Sequence, residues 1–339
     1  MRYHIRQKEM KKTVFPLLAS ALICLFAGNI LYGAVTVPLN DVWGIVTGKE
    51  VSDISRIIVM ESRFPQAVTA FLAGAALAVS GLLLQTLFRN PLAGPSILGI
   101  SDGANLGVAI VMLCAGGGIS TIGGYIGIVA AAMTGALSIL GVIIFFSHRV
   151  RSNTMLLIIG IMVGYLVSSV ISILNYYASA DKVLKFVMWG LGDFSSVSLD
   201  MLPFFSIVAL SGLAMAVLCI KPLNALLLGE KYAANLGVNI RLSRMSLLVC
   251  TGLMTAVITA FCGPVSFIGL AVPHIARLMV RTADHRILVP ATILCGGCIA
   301  LACNMLTVIP GSGNLLPLNA VTPLFGAPVI IYIIMKSRK

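Results

Sequence analysis

RMSLLVCTGLMTAVITAFCGPVSFIGLAVPHIAR, residues 244–277, holds no Asp, Glu, Lys or Arg between its two terminal arginines. That is too much apolar chain for one crossing of a bilayer, which needs about 20 residues. Two crossings would bring Arg277 back to the side of Arg244, and Gly263-Pro264 supplies turn residues near the midpoint. The stretch therefore reads as a membrane hairpin with spans over 245–262 and 264–280. The rest of the chain has the same character: 59% of its 339 residues are apolar and 10% charged, with a mean hydropathy of +1.04. Soluble domains carry about 25% charged residues. The fold class expected is an all-α polytopic membrane protein.

Charge-free stretches place the other spans near 14–36, 64–88, 96–115, 121–147, 153–176, 201–220, 288–308 and 319–335, making about ten. Residues 287–335 are split by Pro310-Gly-Ser-Gly-Asn314, an outer turn. The first apolar run follows MRYHIRQKEMKKT, is long for a signal peptide and lacks a small-residue cleavage site, so it is expected to be a retained span. The net charge of +12 could suggest nucleic acid, but its placement argues for topology. On this span assignment 18 of the 23 Lys and Arg fall on one face: the N-terminal tail, Arg89, 149–151, 221–244, 277–286 and the C-terminal tail. By the positive-inside rule those segments and both termini are cytoplasmic, with anionic membrane lipid as a partner and no nucleic acid. Residues 37–63 and 177–200 are then external. In the latter, Val183, Leu184, Phe186, Val187 and Trp189 among lysines suggest a short interfacial helix, either a surface anchor or a docking element. The whole chain, 1–339, reads as one membrane domain.

Small residues recur at helix-packing intervals: Gly160 and Gly164, Gly123 and Gly127, and Gly74, Ala75, Ala78 and Gly81. Inside the spans, apart from Arg277 near the end of 264–280, the ionisable groups singled out are Asp102 and His274, which disfavours an ion-driven carrier. Gly44 to Lys49 has the wrong spacing for a phosphate loop, and no nucleophile–base pair or metal cluster is evident. Cys295 and Cys298 sit one turn apart and read as packing residues, with no disulfides expected. No catalytic residue, metal or cofactor is assigned to this chain, so energy must come from a partner. Residues 221–244, KPLNALLLGEKYAANLGVNIRLSR, are the sizeable cytoplasmic interruption. They read as two short helices, with Pro222 suited to a first helical position, Gly229 and Gly237 to left-handed stops, and Glu230 to a helix start. The segment is either a solvated loop or a rigid handle for a soluble motor.

Several strings resemble the FecCD-type family, the iron-siderophore and cobalamin permeases of ABC importers. In RFPQAVTAFLAGAALAVSGLLLQTLFRNPLAGPSILGISDGA (63–104) the matching residues are Arg63, Pro65, Gly74, Ala75, Leu77, Gly81, Gln85, Asn90, Pro91, Leu92, Ala93, Pro95, Leu98 and Gly99. GEKYAANLG (229–237), GPVSFIGLAVPHIARLMVRTADHR (263–286) and TPLFGAP (322–328) extend the likeness nearly end to end. The resemblance implies ten helices and a dimer, most simply a homodimer, with the pathway at its two-fold axis. It also implies two cytoplasmic subunits that bind ATP and Mg, and a periplasmic or lipid-anchored substrate-binding protein. Gly229, Glu230, Ala233, Leu236 and Gly237 match the family's ATPase-coupling segment. Ser152, Asn153 and Thr154 match its cytoplasmic gate, and equally suit a helix N-cap. Arg63 matches an external arginine that docks the binding protein, with Arg56 or Lys49 as further cations. Gln66 stands where a second arginine is common, Val308 where another is found, and Asn304 where Asp is common. Leu315 and Asn319 replace the Glu and Gly of an outer-loop motif, leaving 309–317 uncharged. Gln85, Asn90, Pro91, Pro95, Gly99, Gly269, Pro273 and His274 are structural members of the pattern. For Pro273 and His274 a packing role at a helix kink is weighed against metal or haem ligation. The cargo expected is a bulky iron chelate, ferric siderophore first and haem next, with cobalamin as the alternative. An ion-coupled secondary carrier and a non-transporting scaffold are the readings from other classes.

Overall fold

In the computed structural model the described residues are 2–114, 122–150, 152–308 and 316–337, and every element among them is helical. In chain order these are α1 (Arg2–Leu31), α2 (Leu39–Thr47), α3 (Asp53–Ile57), α4 (Phe64–Phe88), α5 (Ile100–Ala109), α6 (Ile122–Arg149), α7 (Asn153–Tyr177) and α8 (Ala180–Gly190). α9 (Leu202–Leu218), α10 (Ile220–Leu228), α11 (Glu230–Asn235), α12 (Ile240–Cys262), α13 (Ile268–Val280), α14 (His285–Thr307) and α15 (Leu318–Ser337) follow. Among the described residues six segments are long and apolar enough to cross a membrane, and α9 with α10 makes a seventh, bent by 48°. Three shorter apolar helices, Ile100–Cys114, Ile268–Val280 and Leu318–Tyr332, occupy the remaining three of the ten expected positions.

Two of those short helices correct the span assignment. The 13 residues of α13 rise about 20 Å, against a hydrocarbon core of about 30 Å. The sequences assigned to spans 96–115 and 264–280 thus begin as non-α backbone: a 3₁₀ turn over Pro95–Leu98 before α5, and residues 263–267 before α13. Left-handed residues break both, Gly99 at φ 74° and Phe267 at φ 66°. Irregular backbone at membrane depth is tolerated where protein buries it, and Ala93, Pro95, Leu98 and Gly99 are buried here, whereas residues 264–267 are partly open, with Ser266 exposed. A further feature concerns the segment 37–63, expected from the sequence to be external. Helix is continuous from Asp53 to Phe88, a π-helical turn over Ile58–Arg63 joining α3 to α4. Its 36 residues span about 54 Å, so the outer end projects beyond the bilayer. Residues 180–190 form α8, the short helix expected within 177–200, and Phe186 stacks on Trp189 there.

α4 is the central strut, with 89% of its apolar window buried. It can be central because its small residues admit neighbouring backbones. A Cβ on Gly74 would lie 2.3 Å from the Gly296 carbonyl oxygen of α14, and one on Gly81 would lie 1.6 Å from that of Gly269 on α13. Gly160 and Gly164 of α7 likewise face Ile97, Leu98 and Asp102. Gly123 and Gly127 do not: nothing lies within 4 Å of either added Cβ, so among the described residues that predicted packing pair makes no close contact. The hairpin turn is where the sequence placed it, with Gly263 at φ 72° and its α-carbon facing the Trp189 carbonyl. The predicted outer turn at 310–314, and Leu315, lie outside the described residues.

Candidate functional site

Residues 220–244 do fold as two short helices, but the first is a continuation of a span. Pro222 is the third residue of α10, not its first. It has no N–H to offer the Leu218 carbonyl four residues back, and its ring crowds that carbonyl. The 48° bend between α9 and α10 sits at that point. α10 buries Leu223 and Leu226, and α11 buries Ala233. Facing outward are Leu227, Leu228, Tyr232, Leu236 and Leu242, with Tyr232 68% and Leu236 66% exposed. A loop that only linked two spans would gain nothing from this apolar display. Gly229 separates the two helices at φ 118°, ψ 149°, and Gly237 ends the second at φ 83°. Both conformations favour glycine.

Asn153 and Glu230, expected from the sequence to belong to a gate and to a coupling segment, meet in the structure. Asn153 Nδ2 donates to Glu230 Oε1 at 2.8 Å and to the Leu87 carbonyl, also at 2.8 Å. Arg244 adds a 3.4 Å ion pair with Glu230 and donates to the Val150 carbonyl at 3.1 Å. Ser152 is the N-cap of α7, accepting from the Met155 N–H at 3.4 Å, while Thr154 is exposed. Beside them a cleft of about 400 Å³ is lined by His148, Lys231, Arg241 and Arg244, with Glu230 among its walls. One member of this region goes unnoticed in the sequence. His285, 1% exposed, faces Asn224 of α10 through Nδ1 at 2.9 Å and Thr86 of α4 through Nε2 at 2.9 Å. A signal for it exists in Asp284, a good N-cap residue whose carboxylate accepts from the Arg286 N–H at 2.9 Å and the Asn224 amide at 2.7 Å. Burial pushes the Asp284 carboxyl up, but these hydrogen bonds and the positive charge of Arg286 outweigh it and hold it below its ordinary value.

The remaining pattern residues tie α4 to α13. Gln85 Nε2 donates to the Leu270 carbonyl at 3.1 Å, and His274 Nε2 donates to the Pro91 carbonyl at 2.7 Å. Pro95 lies against Gly269, and Asn90 Oδ1 closes a turn on the Leu92 N–H at 2.9 Å. His274 and Pro273 are both buried in α13, and the imidazole is engaged as a packing tie. Cys295 and Cys298 carry free thiols, near Met279 Sδ and the Leu18 carbonyl.

On the face expected to be external, Arg63 is turned inward. It is 5% exposed and donates to the carbonyls of Ile30 at 2.8 Å, Leu31 at 2.9 Å and Val35. It thereby caps the C-terminal end of α1, and its guanidinium is not displayed as a docking cation in this conformation. Arg56 is exposed and, with Lys49, Glu50 and Asp53, lines an outer cleft of about 390 Å³. Two departures from the family pattern prove to be one. Gln66 Nε2 donates to Asn304 Oδ1 at 3.1 Å, and Asn304 donates in turn to Asn29 Oδ1 at 2.7 Å. Neutral amides thus face each other where the pattern has Arg and Asp. Asn319 clamps the outer turns, donating to the Pro264 and Gly190 carbonyls and accepting from the Ser266 N–H.

Comparison with known proteins agrees with this geometry. The profile of the FecCD transport family matches residues 21–336. The chain is 33% identical over 335 residues to the vitamin B12 import system permease protein BtuC of Klebsiella pneumoniae, covering 99% of this chain and 97% of that protein. It is 33% identical over 334 residues to the protein of the same name from Salmonella typhi, covering 98% of each. A solved structure, an inward-facing conformation of a putative metal-chelate type ABC transporter, superposes with a TM-score of 0.84 at 27% identity, covering 96% of this chain and 99% of that one.

Proposed function

This chain belongs to the FecCD transport family, and on that basis we propose that it carries a bulky metal chelate inward, with cobalamin first and a ferric siderophore or haem second. It is a multi-pass ABC-importer permease of the inner membrane, a transport subunit rather than an enzyme. In the proposed assembly two copies form the pathway, two cytoplasmic ATP-binding subunits dock on α10 and α11, and an external binding protein delivers cargo. The observation that carries the reading is the coupling face. Apolar side chains, Tyr232 and Leu236 among them, point away from the bundle, while Glu230 on the same short helix is bonded to Asn153 at the start of α7. Closure of the ATP-binding subunits pushes α11, and α7 tilts with it to open the pathway on alternate sides.

Cargo selection is expected to rest with the binding protein. Relatives named for vitamin B12 import support cobalamin ahead of the ferric siderophore that ranks first from the sequence. The structural neighbour's description as metal-chelate type keeps the ferric chelates as the second reading. The test is uptake of cobalamin, ferric siderophore and haem into vesicles holding this chain with its ATP-binding subunits and binding protein. ATP-dependent uptake of cobalamin alone is the expected result. Uptake that persists without the ATP-binding subunit and collapses with the proton gradient would make the chain a secondary carrier instead.

A further inference from the structure

The coupling segment converges on the last turn of α4. Arg89 donates to the Leu226 carbonyl of α10 at 3.0 Å, and Thr86 reaches Asn224 of α10 through His285. Leu87, between them, receives the Asn153 amide that also holds Glu230 of α11. The two halves of the segment therefore have separate ties. α10 is fastened to α4 and α14; α11 is fastened to α7 through Asn153 and to α12 through Arg244. Between them lies Gly229, whose φ of 118° marks a backbone free to hinge. The Asn153 amide has only two N–H bonds, and both are committed, one to each side of that division.

We infer that Asn153 is a positioning residue that makes α11, the start of α7 and the end of α4 move as one body, rather than a side chain that plugs the pathway. This deepens the importer reading and rests on α11 being the ATPase-docking element. Asn153→Asp removes both donated hydrogen bonds and sets a second carboxylate against Glu230. Adding Glu230→Gln restores the α7–α11 bridge alone, with donor and acceptor exchanged, since the new amide at position 230 can donate to the new carboxylate at position 153, while the Leu87 carbonyl stays without its donor.

The test uses the full complex of this chain with its ATP-binding subunits and binding protein in lipid nanodiscs. Exposed Cys24 and Cys114 are replaced by serine, and spin labels are placed at Met155 on α7 and Leu218 on α9, both exposed. The wild type should show a label-to-label distance that changes between the nucleotide-free and ATP–vanadate states. Asn153→Asp should retain co-purification and ATP hydrolysis within about twofold, yet lose the distance change and about tenfold or more of uptake, the scale of one charge-assisted hydrogen bond. The double variant should regain part of each, because the bond to Leu87 stays lost. Because these distances do not depend on which cargo is carried, an error about cobalamin leaves the test intact. Failure of the importer reading shows separately, as a wild type that does not bind the ATP-binding subunits. A normal distance change in Asn153→Asp, or no recovery in the double variant, overturns the inference. Where Asn153→Asp does not assemble, neutral Asn153→Ser carries the same test. Hydrolysis kept with motion lost supports the inference, and parallel loss of assembly, hydrolysis and motion reduces Asn153 to packing.

Discussion

Gly81→Ala tests the idea that the centre of the bundle depends on direct backbone contact. The new methyl carbon would sit 1.6 Å from the Gly269 carbonyl oxygen and 2.5 Å from its carbon. Carbon–oxygen contacts settle at about 3.3 Å or more, so α4 and α13 must part by about 1.7 Å. The obstacle is backbone on both sides, and no rotamer change relieves it. Parting by that amount stretches the Gln85–Leu270 hydrogen bond from 3.1 Å to about 4.8 Å, past any useful geometry. Overpacking costs about 1–3 kcal/mol, and a buried hydrogen bond left unmade about 1–3 kcal/mol. The sum is on the order of 2–6 kcal/mol for a change of one methyl group. Gly141→Ala is the control: nothing lies within 4 Å of its added Cβ, and the helix should gain about 0.5–1 kcal/mol. Melting of fluorescent fusions, followed by size-exclusion chromatography in one detergent, reads both. Gly81→Ala should melt well below the wild type and Gly141→Ala at or above it. Equal melting of all three would refute the contact and the centrality of α4.

Gly237→Val meets open space but a backbone at φ 83°. It should cost about 1–3 kcal/mol of local strain and reduce ATPase co-purification, with Gly237→Asn tolerated; equal effects of the two would remove the conformational argument. Arg63→Ala should lower the melting temperature by exposing unmet α1 carbonyls, about 1–3 kcal/mol, without the selective loss of binding-protein affinity expected from Arg56→Glu. Surface plasmon resonance on the two variants separates these roles. Gln66→Arg alone buries an unpaired cation and should destabilise, whereas Gln66→Arg with Asn304→Asp should recover much of the loss; additive effects would show that the two side chains are not partners. The depressed pKa of Asp284 means its contribution is present at neutral pH and is lost as pH falls from the ordinary 3.8 through the lower folded value. Asp284→Asn should flatten the acid side of the stability profile, and an unchanged profile would remove that carboxylate from the account.

Much of the fold is legible because the bilayer imposes a coarse code. Long uncharged runs, their parity and the location of Gly263-Pro264 are enough to find α12, α13 and the turn between them. The same code overstates the short helices. Hydropathy reports only that a stretch avoids water, and residues 94–99 and 263–267 are uncharged without being α-helical, so it has no means of excluding them. Of the candidate residues, Asn153 and Glu230 can be named individually from two distant strings, but nothing in either string indicates a hydrogen bond between them. His285 escapes because it lies at the edge of an apolar run, where exposure and burial look alike in one dimension. Arg63 reads as a surface cation because the sequence does not show that α1 ends beside it.

Composition and residue order are enough to establish the membrane class, the number of apolar segments, the division of positive charge, and the presence of a punctuated polar segment. Solvent and lipid read these properties directly, without reference to the rest of the fold. Packing in three dimensions is needed to learn which segments cross fully, that the strings at 63–104 and 263–286 form one packed unit, and that Gln66 and Asn304 are a single paired departure. It is also what shows the handle at 220–237 fastened to the end of α4. Each of those depends on distances between residues far apart in the chain, and such distances exist only once backbones have approached as closely as Gly81 and Gly269 allow.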